Sequence, residues 1–235
     1  DYLEAREQVL GIQAKLQNLK EKLDLIPDLI GHCQIHIPGL LHELKMGYAE
    51  MCEQGYPLSH MFFENEIEKM EENLEKYKEY IVDINTEEAA KGIEELNESI
   101  QSYYDLLEKE VVARQYVLSV KDLYQQKLDK SIDQLERLDE ETELVKQIYQ
   151  MPEKELDARS NLDKTLITLK SKWEMLKEKI YERETAYTVL KEDIVELESK
   201  LDELKDLQKE FEEKLNTLRK DEMESRETIR KLHQS

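Results

Sequence analysis

Between Gly92 and Pro152 the chain has neither glycine nor proline, and its apolar residues recur at helical steps. Ile93, Leu96, Ile100, Tyr103, Leu107, Val111, Val117, Leu128, Ile132, Leu135, Leu138, Val145 and Ile148 fall along one side of a helix. A helix of about 60 residues is roughly 90 Å long. No small globular core encloses such an element, so the spacing predicts an elongated all-α molecule. Composition agrees. Charged residues make up 38% of the 235, hydrophobic ones 39%, and only six glycines and four prolines are available for turns between strands. This is the composition of coiled coils and long helices.

Charge excludes further classes. Against 34 Lys and Arg stand 55 Asp and Glu, a formal net charge of −21. A duplex-DNA binder carries a basic footprint, and an anionic lipid surface would repel this chain. The longest run free of Asp, Glu, Lys and Arg, Leu29 to His42, is fourteen residues, too short to span a bilayer. The sequence starts at Asp1 and shows no signal-peptide pattern, so an internal piece is expected, with any membrane anchor outside it. Cys33 and Cys52 are too few for a disulfide framework. On one helix they would stand about 28 Å apart, so free thiols in a reducing compartment are expected.

Four breaks divide the chain. Gly55-Tyr56-Pro57-Leu58-Ser59 is a turn. In Asp83 to Glu88, Asn85 suits an N-cap with Glu88 three residues on. Pro152 suits a first helical position, and Thr185 is a candidate N-cap within Arg183 to Ala186. The expected helices are 2–54, 60–83, 86–150, 153–183 and 186–235. Pro27 is expected to kink the first, and Pro38 to restart it after an irregularity at Ile35 to Ile37. The last helix reads Leu190, Ile194, Leu197, Leu201, Leu204, Leu207, Phe211, Leu215, Leu218, a coiled-coil stripe with one irregularity near Leu204 and Leu207.

Three segments begin alike. Ala5 precedes Val9, Ile12 and Leu16; Ala89 precedes Ile93, Leu96 and Ile100; Ala186 precedes Leu190, Ile194 and Leu197. Alanines 84 and 97 residues apart suggest stacked helical bundles. Short loops join antiparallel neighbours. The expected arrangement is a rod of tandem spectrin-like antiparallel three-helix bundles joined by long continuous helices. Residues 1–27 would end a preceding repeat, 28–115 and 116–215 would form two repeats, and 216–235 would start a following one.

No catalytic, cofactor-binding or metal-binding residue is assigned. His32, Cys33 and His36 resemble a soft-metal cluster, but no second ligand pair with structural-zinc spacing accompanies them. Neither Glu-x-x-His, Gly-x-Ser-x-Gly nor a glycine-rich phosphate loop occurs, so an enzyme is not expected. Trp173 is spaced with Leu166, Leu169, Leu176 and Ile180 as a core residue, whereas Tyr48 and Tyr56 stay open between core and binding anchor. Residues 64–110 carry 16 acids and 5 bases, and 157–183 carry 7 bases and 5 acids. A solvated face explains both; steering of a basic partner is the sharper reading of the first.

Several strings resemble one family. They are Met46-Gly47-Tyr48-Ala49-Glu50-Met51; Gly55-Tyr56 with Leu58 and His60; Ile35 to Gly39; Glu141-Thr142-Glu143-Leu144-Val145; and Leu218-Arg219-Lys220 with Glu222 and Arg226-Glu227-Thr228. In order and over nearly the whole chain, these are similar to the septation ring formation regulator EzrA. The resemblance implies a Gram-positive cell-division protein with one N-terminal transmembrane helix, absent here, and a cytoplasmic arch of spectrin-like repeats at the division septum. It implies FtsZ and cell-wall synthesis proteins as partners and restraint of FtsZ ring formation; apart from the resemblance, no cofactor and no nucleic acid are expected. The family's C-terminal Gln-Asn-Arg patch has no counterpart here. A purely structural spacer and a coiled-coil dimer are the alternatives.

Overall fold

The computed structural model describes residues 1–148 and 150–234. Helices and short turns account for them, and no strand occurs among the described residues, as the all-α reading requires. The elements are α1 (Tyr2–Gly31), a π-helical turn (His32–His36), α2 (Ile37–Glu53), a 3-10 turn (Ser59–Met61), α3 (Phe63–Val82), α4 (Thr86–Ile148), α5 (Glu153–Glu182) and α6 (Tyr187–Gln234). The expected helix ends at 150 and 235 fall on or beside residues 149 and 235, which lie outside the described residues. The chain divides into two compact units, residues 1–110 and 111–235.

In the first unit α1, the π turn and α2 run on without a break. Pro27 sits inside α1, as expected of a helix that continues through it. The irregularity before Pro38 is a π turn at His32–His36, not a restart. The Ile37 N–H bonds to the His32 carbonyl, five residues back, which widens the turn where Pro38 has no N–H to give. The extra residue shows in the buried stripe. Leu29, Cys33, Ile37 and Leu41 follow at successive steps of four, and the three–four alternation resumes at Leu44. Helix α3 packs antiparallel to this rod. Tyr48 stacks on Phe63 at 3.9 Å between ring centroids, and Lys45 pairs with Glu71. Phe63 meets Tyr103 of α4 edge-on at 5.9 Å. Gly92 lies flush against the Tyr77 ring, which a Cβ would overlap.

The second unit is built from the later part of α4, with α5 and α6. Arg159 bonds to Asp139 at 2.7 Å and the Trp173 indole N–H to Gln125 at 2.6 Å, so α5 runs antiparallel to α4. Tyr116 bonds to Glu198 and Gln208 to Ser131, so α6 runs parallel to α4. The buried positions of α6 are Tyr187, Leu190, Ile194, Leu197, Leu201, Leu204, Gln208, Phe211 and Leu215, an unbroken three–four alternation. This corrects the sequence-based stripe. Leu207 is 49% exposed and Gln208 takes its core place, so the irregularity disappears. On α4, Ser131 and Thr142 are buried in the same register, whereas Ile148 is half exposed. The Thr142 hydroxyl donates to the Leu138 carbonyl at 2.6 Å. Each fully covered Leu or Ile contributes on the order of 1.5–3 kcal/mol.

Helix ends follow local hydrogen bonding. After α2 the Gly55 N–H bonds to Cys52 and the Tyr56 N–H to Met51, a Schellman end with Gly55 at φ 86°. After α3 the same motif recurs, Asn85 to Tyr80 and Ile84 to Ile81, but a β-branched Ile84 holds the left-handed position at φ 60°. Asn85 immediately precedes α4 and its carbonyl accepts from the Ala89 N–H. Pro152 stands just before α5, at ψ 145°, one residue short of the first helical position expected for it. Ala186, not Thr185, precedes α6, and its carbonyl accepts from Leu190.

Candidate interaction surfaces

The residues weighed as sites from sequence separate in space. Cys33 points into the first unit's core and burial pushes its thiol up, while His32 and His36 face outward with rings 5.4 Å apart, edge to face. The π turn therefore splits the three donors between two sides. No group of three metal-ligating side chains is assembled among the described residues. Cys33 and Cys52 are both free, the second exposed.

Aromatic residues act as packing. Trp173 is 1% exposed, tilted against Tyr124 with 4.6 Å between centroids. Tyr56 is buried under the Gly55 turn, and Tyr48 lies on Phe63. Burial, with Cys52 beside it, raises the Tyr48 hydroxyl to about 12. Burial likewise raises Tyr124 to about 12, and burial together with its bond to Glu198 does the same for Tyr116. These shifts favour neutral phenols in packed sites; none creates an acid or base useful near neutrality. Tyr2, Phe62 and Tyr181 are instead exposed, and Phe62 is held at φ 48° beside the 3-10 turn.

Two surface features stand out among the described residues. The first is acidic. Across α3 and the start of α4 the carboxylates face solvent, save Glu110, which is 2% exposed and engaged. Lys69 and Lys78 pair with Glu66 and Glu75 one turn away, and Lys45 with Glu71, exposed contacts worth little in water. Most of the negative charge is thus unneutralised and projects a field over roughly a Debye length, about 8–10 Å. The second is apolar. Val9, Ile12, Leu16, Leu19 and Leu23 on α1 keep a strict three–four spacing yet are 42–60% exposed. Sequence reading located the acidic stretch. It did not identify Glu110 as buried, because a carboxylate ranks as solvated even though it falls three residues after Leu107 and seven before Val117 on the apolar stripe.

No described helix is long and apolar enough to cross a membrane. The model of the family "Septation ring formation regulator, EzrA" matches residues 1–235. The EzrA protein of Geobacillus sp. strain WCH70 is 35% identical over 188 residues, 80% of this chain and 33% of that relative. Those of Listeria innocua and Bacillus licheniformis are 32% and 31% identical, again over 80% of this chain and 33% and 34% of their own length. The chain therefore spans about a third of the relatives it matches. No solved structure matches it. A family match that runs from residue 1 to residue 235, with relatives at 31–35% identity, places the chain in the EzrA family of septation ring formation regulators.

Proposed function

We propose that this chain is a non-enzymatic adaptor segment that restrains FtsZ ring formation in bacterial cell division and links the ring to membrane and cell-wall machinery. The observation that carries the reading is the family match over residues 1–235. A cell-division regulatory role follows from the family; FtsZ as partner and the septal, cytoplasmic face as location are the finer steps proposed. In this reading the two units are tandem spectrin-like repeats, near 28–115 and 116–215, and α4 is the helix they share. Residues 1–27 and 216–235 pack into neighbouring repeats, which accounts for the uncovered apolar stripe of α1. Attachment to the membrane is supplied by an N-terminal helix outside this sequence.

The mechanism is geometric. Helices held by dry seams keep binding faces at fixed positions, and the acidic face raises the encounter rate with basic segments. Co-sedimentation of the purified chain with FtsZ polymers tests this, with polymer mass followed by light scattering. Saturable co-pelleting with reduced polymer mass is expected. No binding at high protein concentration would leave the chain a spacer. The exposed α1 stripe also favours a second reading, a coiled-coil dimer through α1, which a doubled mass in sedimentation equilibrium would reveal.

A further inference from the structure

The exposed apolar stripe of α1 is bordered by one sign of charge. In a three–four stripe, the residues just inside each step of four flank the seam and meet the neighbouring helix. On α1, between Ala5 and Val9, Ile12 and Leu16, and Leu19 and Leu23, these are Arg6, Gln8, Gln13, Lys15, Lys20 and Lys22. All four bases of residues 1–27 therefore stand at the borders. Of the five acids there only Asp1 does, while Glu4, Glu7, Glu21 and Asp24 lie on the far side of the helix. No ion pair engages Arg6, Lys15, Lys20 or Lys22 among the described residues. Helix α6 shows what such positions do once a stripe is covered. Its borders hold both signs, and they reach the neighbouring helices. Tyr116 donates to Glu198 at 2.7 Å, Gln134 to Glu212 at 3.4 Å, and Lys214 pairs with Glu155 at 3.9 Å.

We propose that α1 is covered by an amphipathic helix of a neighbouring repeat whose own apolar stripe is bordered by Asp and Glu, so that Arg6, Lys15, Lys20 and Lys22 meet carboxylates across the seam. This rests on the tandem-repeat reading above and adds the chemistry of the covering helix. Charge complementarity selects that helix over a second copy of this chain. In a parallel pair of copies each Lys15 faces Lys20, offset by Asp1 against Arg6. In the antiparallel pair that overlaps residues 2–26, Lys15 meets Lys15 and Arg6 meets Lys20. Like charges at these positions set partner choice against self-pairing. Charge also selects a helix over an anionic lipid surface. Residues 1–27 account for only one of the 21 net negative charges, so the remainder of the chain is repelled by such a surface.

The probes are two fluorescent helical peptides about four heptads long, both with a leucine stripe, one bordered by Glu and one by Lys. Titrated by anisotropy against the whole chain at low salt, the Glu-bordered peptide is expected to bind saturably and roughly tenfold more tightly or better, a preference that shrinks as salt rises. Arg6→Glu, Lys15→Glu, Lys20→Glu and Lys22→Glu together keep the stripe and should reverse the preference. Val9→Asp with Leu16→Asp should abolish binding of both peptides with an unchanged second unit. The proposal is overturned if neither peptide binds, if the two bind equally, or if either set of substitutions leaves binding as it was. A doubled mass of the chain alone in sedimentation equilibrium, or stronger binding to phosphatidylglycerol vesicles, would overturn it as well. Hydrogen exchange in a chain extended to the length of its relatives separates the two statements. Fast exchange of residues 3–25 there would overturn the neighbouring-repeat reading and this inference with it. Protection there, with equal binding of the two peptides, would overturn the charge inference alone.

Discussion

Ala186, just before α6, and Leu190, Ile194 and Leu197 in its first turns are all buried, the last three at 4% exposure or less. Val9, Ile12 and Leu16 follow Ala5 in α1 at almost the same spacing and are 53–60% exposed. Ala89, Ile93, Leu96 and Ile100 at the start of α4 side with α6. Helical propensity and apolar period are thus alike in the three segments; what differs is whether two neighbouring helices cover the stripe. Periodicity specifies which face of a helix is available for burial, and tertiary partners decide whether it is buried.

The largest effect should come from emptying one stripe and not the other. Leu204→Ala removes a side chain at 0% exposure and should cost about 3–4 kcal/mol in chemical denaturation. Leu16→Ala on α1 should change stability by less than about 0.5 kcal/mol. Comparable losses from both would mean that the α1 stripe is covered in solution. Within the covered region, Gln208 donates to the Ser131 carbonyl at 2.9 Å, but its own carbonyl oxygen and the Ser131 hydroxyl are buried without partners. Gln208→Leu should therefore raise stability by about 1 kcal/mol, read as a higher midpoint. A lower midpoint would show that the polar layer is satisfied. At the turn into α4, Ile84→Gly exchanges left-handed strain against chain entropy and should gain about 0.5 kcal/mol.

The smallest effect is a pH dependence confined to the packed helices. The folded protein holds Tyr48, Tyr116 and Tyr124 near 12, against an ordinary phenol value of 10. Below pH 10 the phenols are neutral in both states, and their contribution is complete. From pH 10 to about 12 the unfolded chain ionises first, so stability falls as pH rises. Tyr116→Phe should flatten part of that fall in denaturation midpoints taken across the window; an unaltered slope would remove Tyr116 from the account.

These contrasts also show what the sequence made legible. The all-α class and the turn at Gly55 were readable because a three–four period and a Gly-Tyr-Pro break have few other structural solutions. Gln208, Ser131 and Thr142 were missed as core because hydropathy ranks them outside; only strict register, carried from Val117 to Val145 and from Leu190 to Leu215, points to them. Left-handed Ile84, Phe62 and Arg183 carry no composition signal, since glycine or asparagine is what such positions ordinarily show. The acidic face was readable from counts of charge.

Hydrogen–deuterium exchange resolved by segment tests the central claim most directly, that an apolar stripe is core only where neighbouring helices cover it. Amides of residues 190–215 should exchange orders of magnitude more slowly than those of residues 3–25, whose helix lacks a covering partner. Equal, strong protection of both segments would contradict the account.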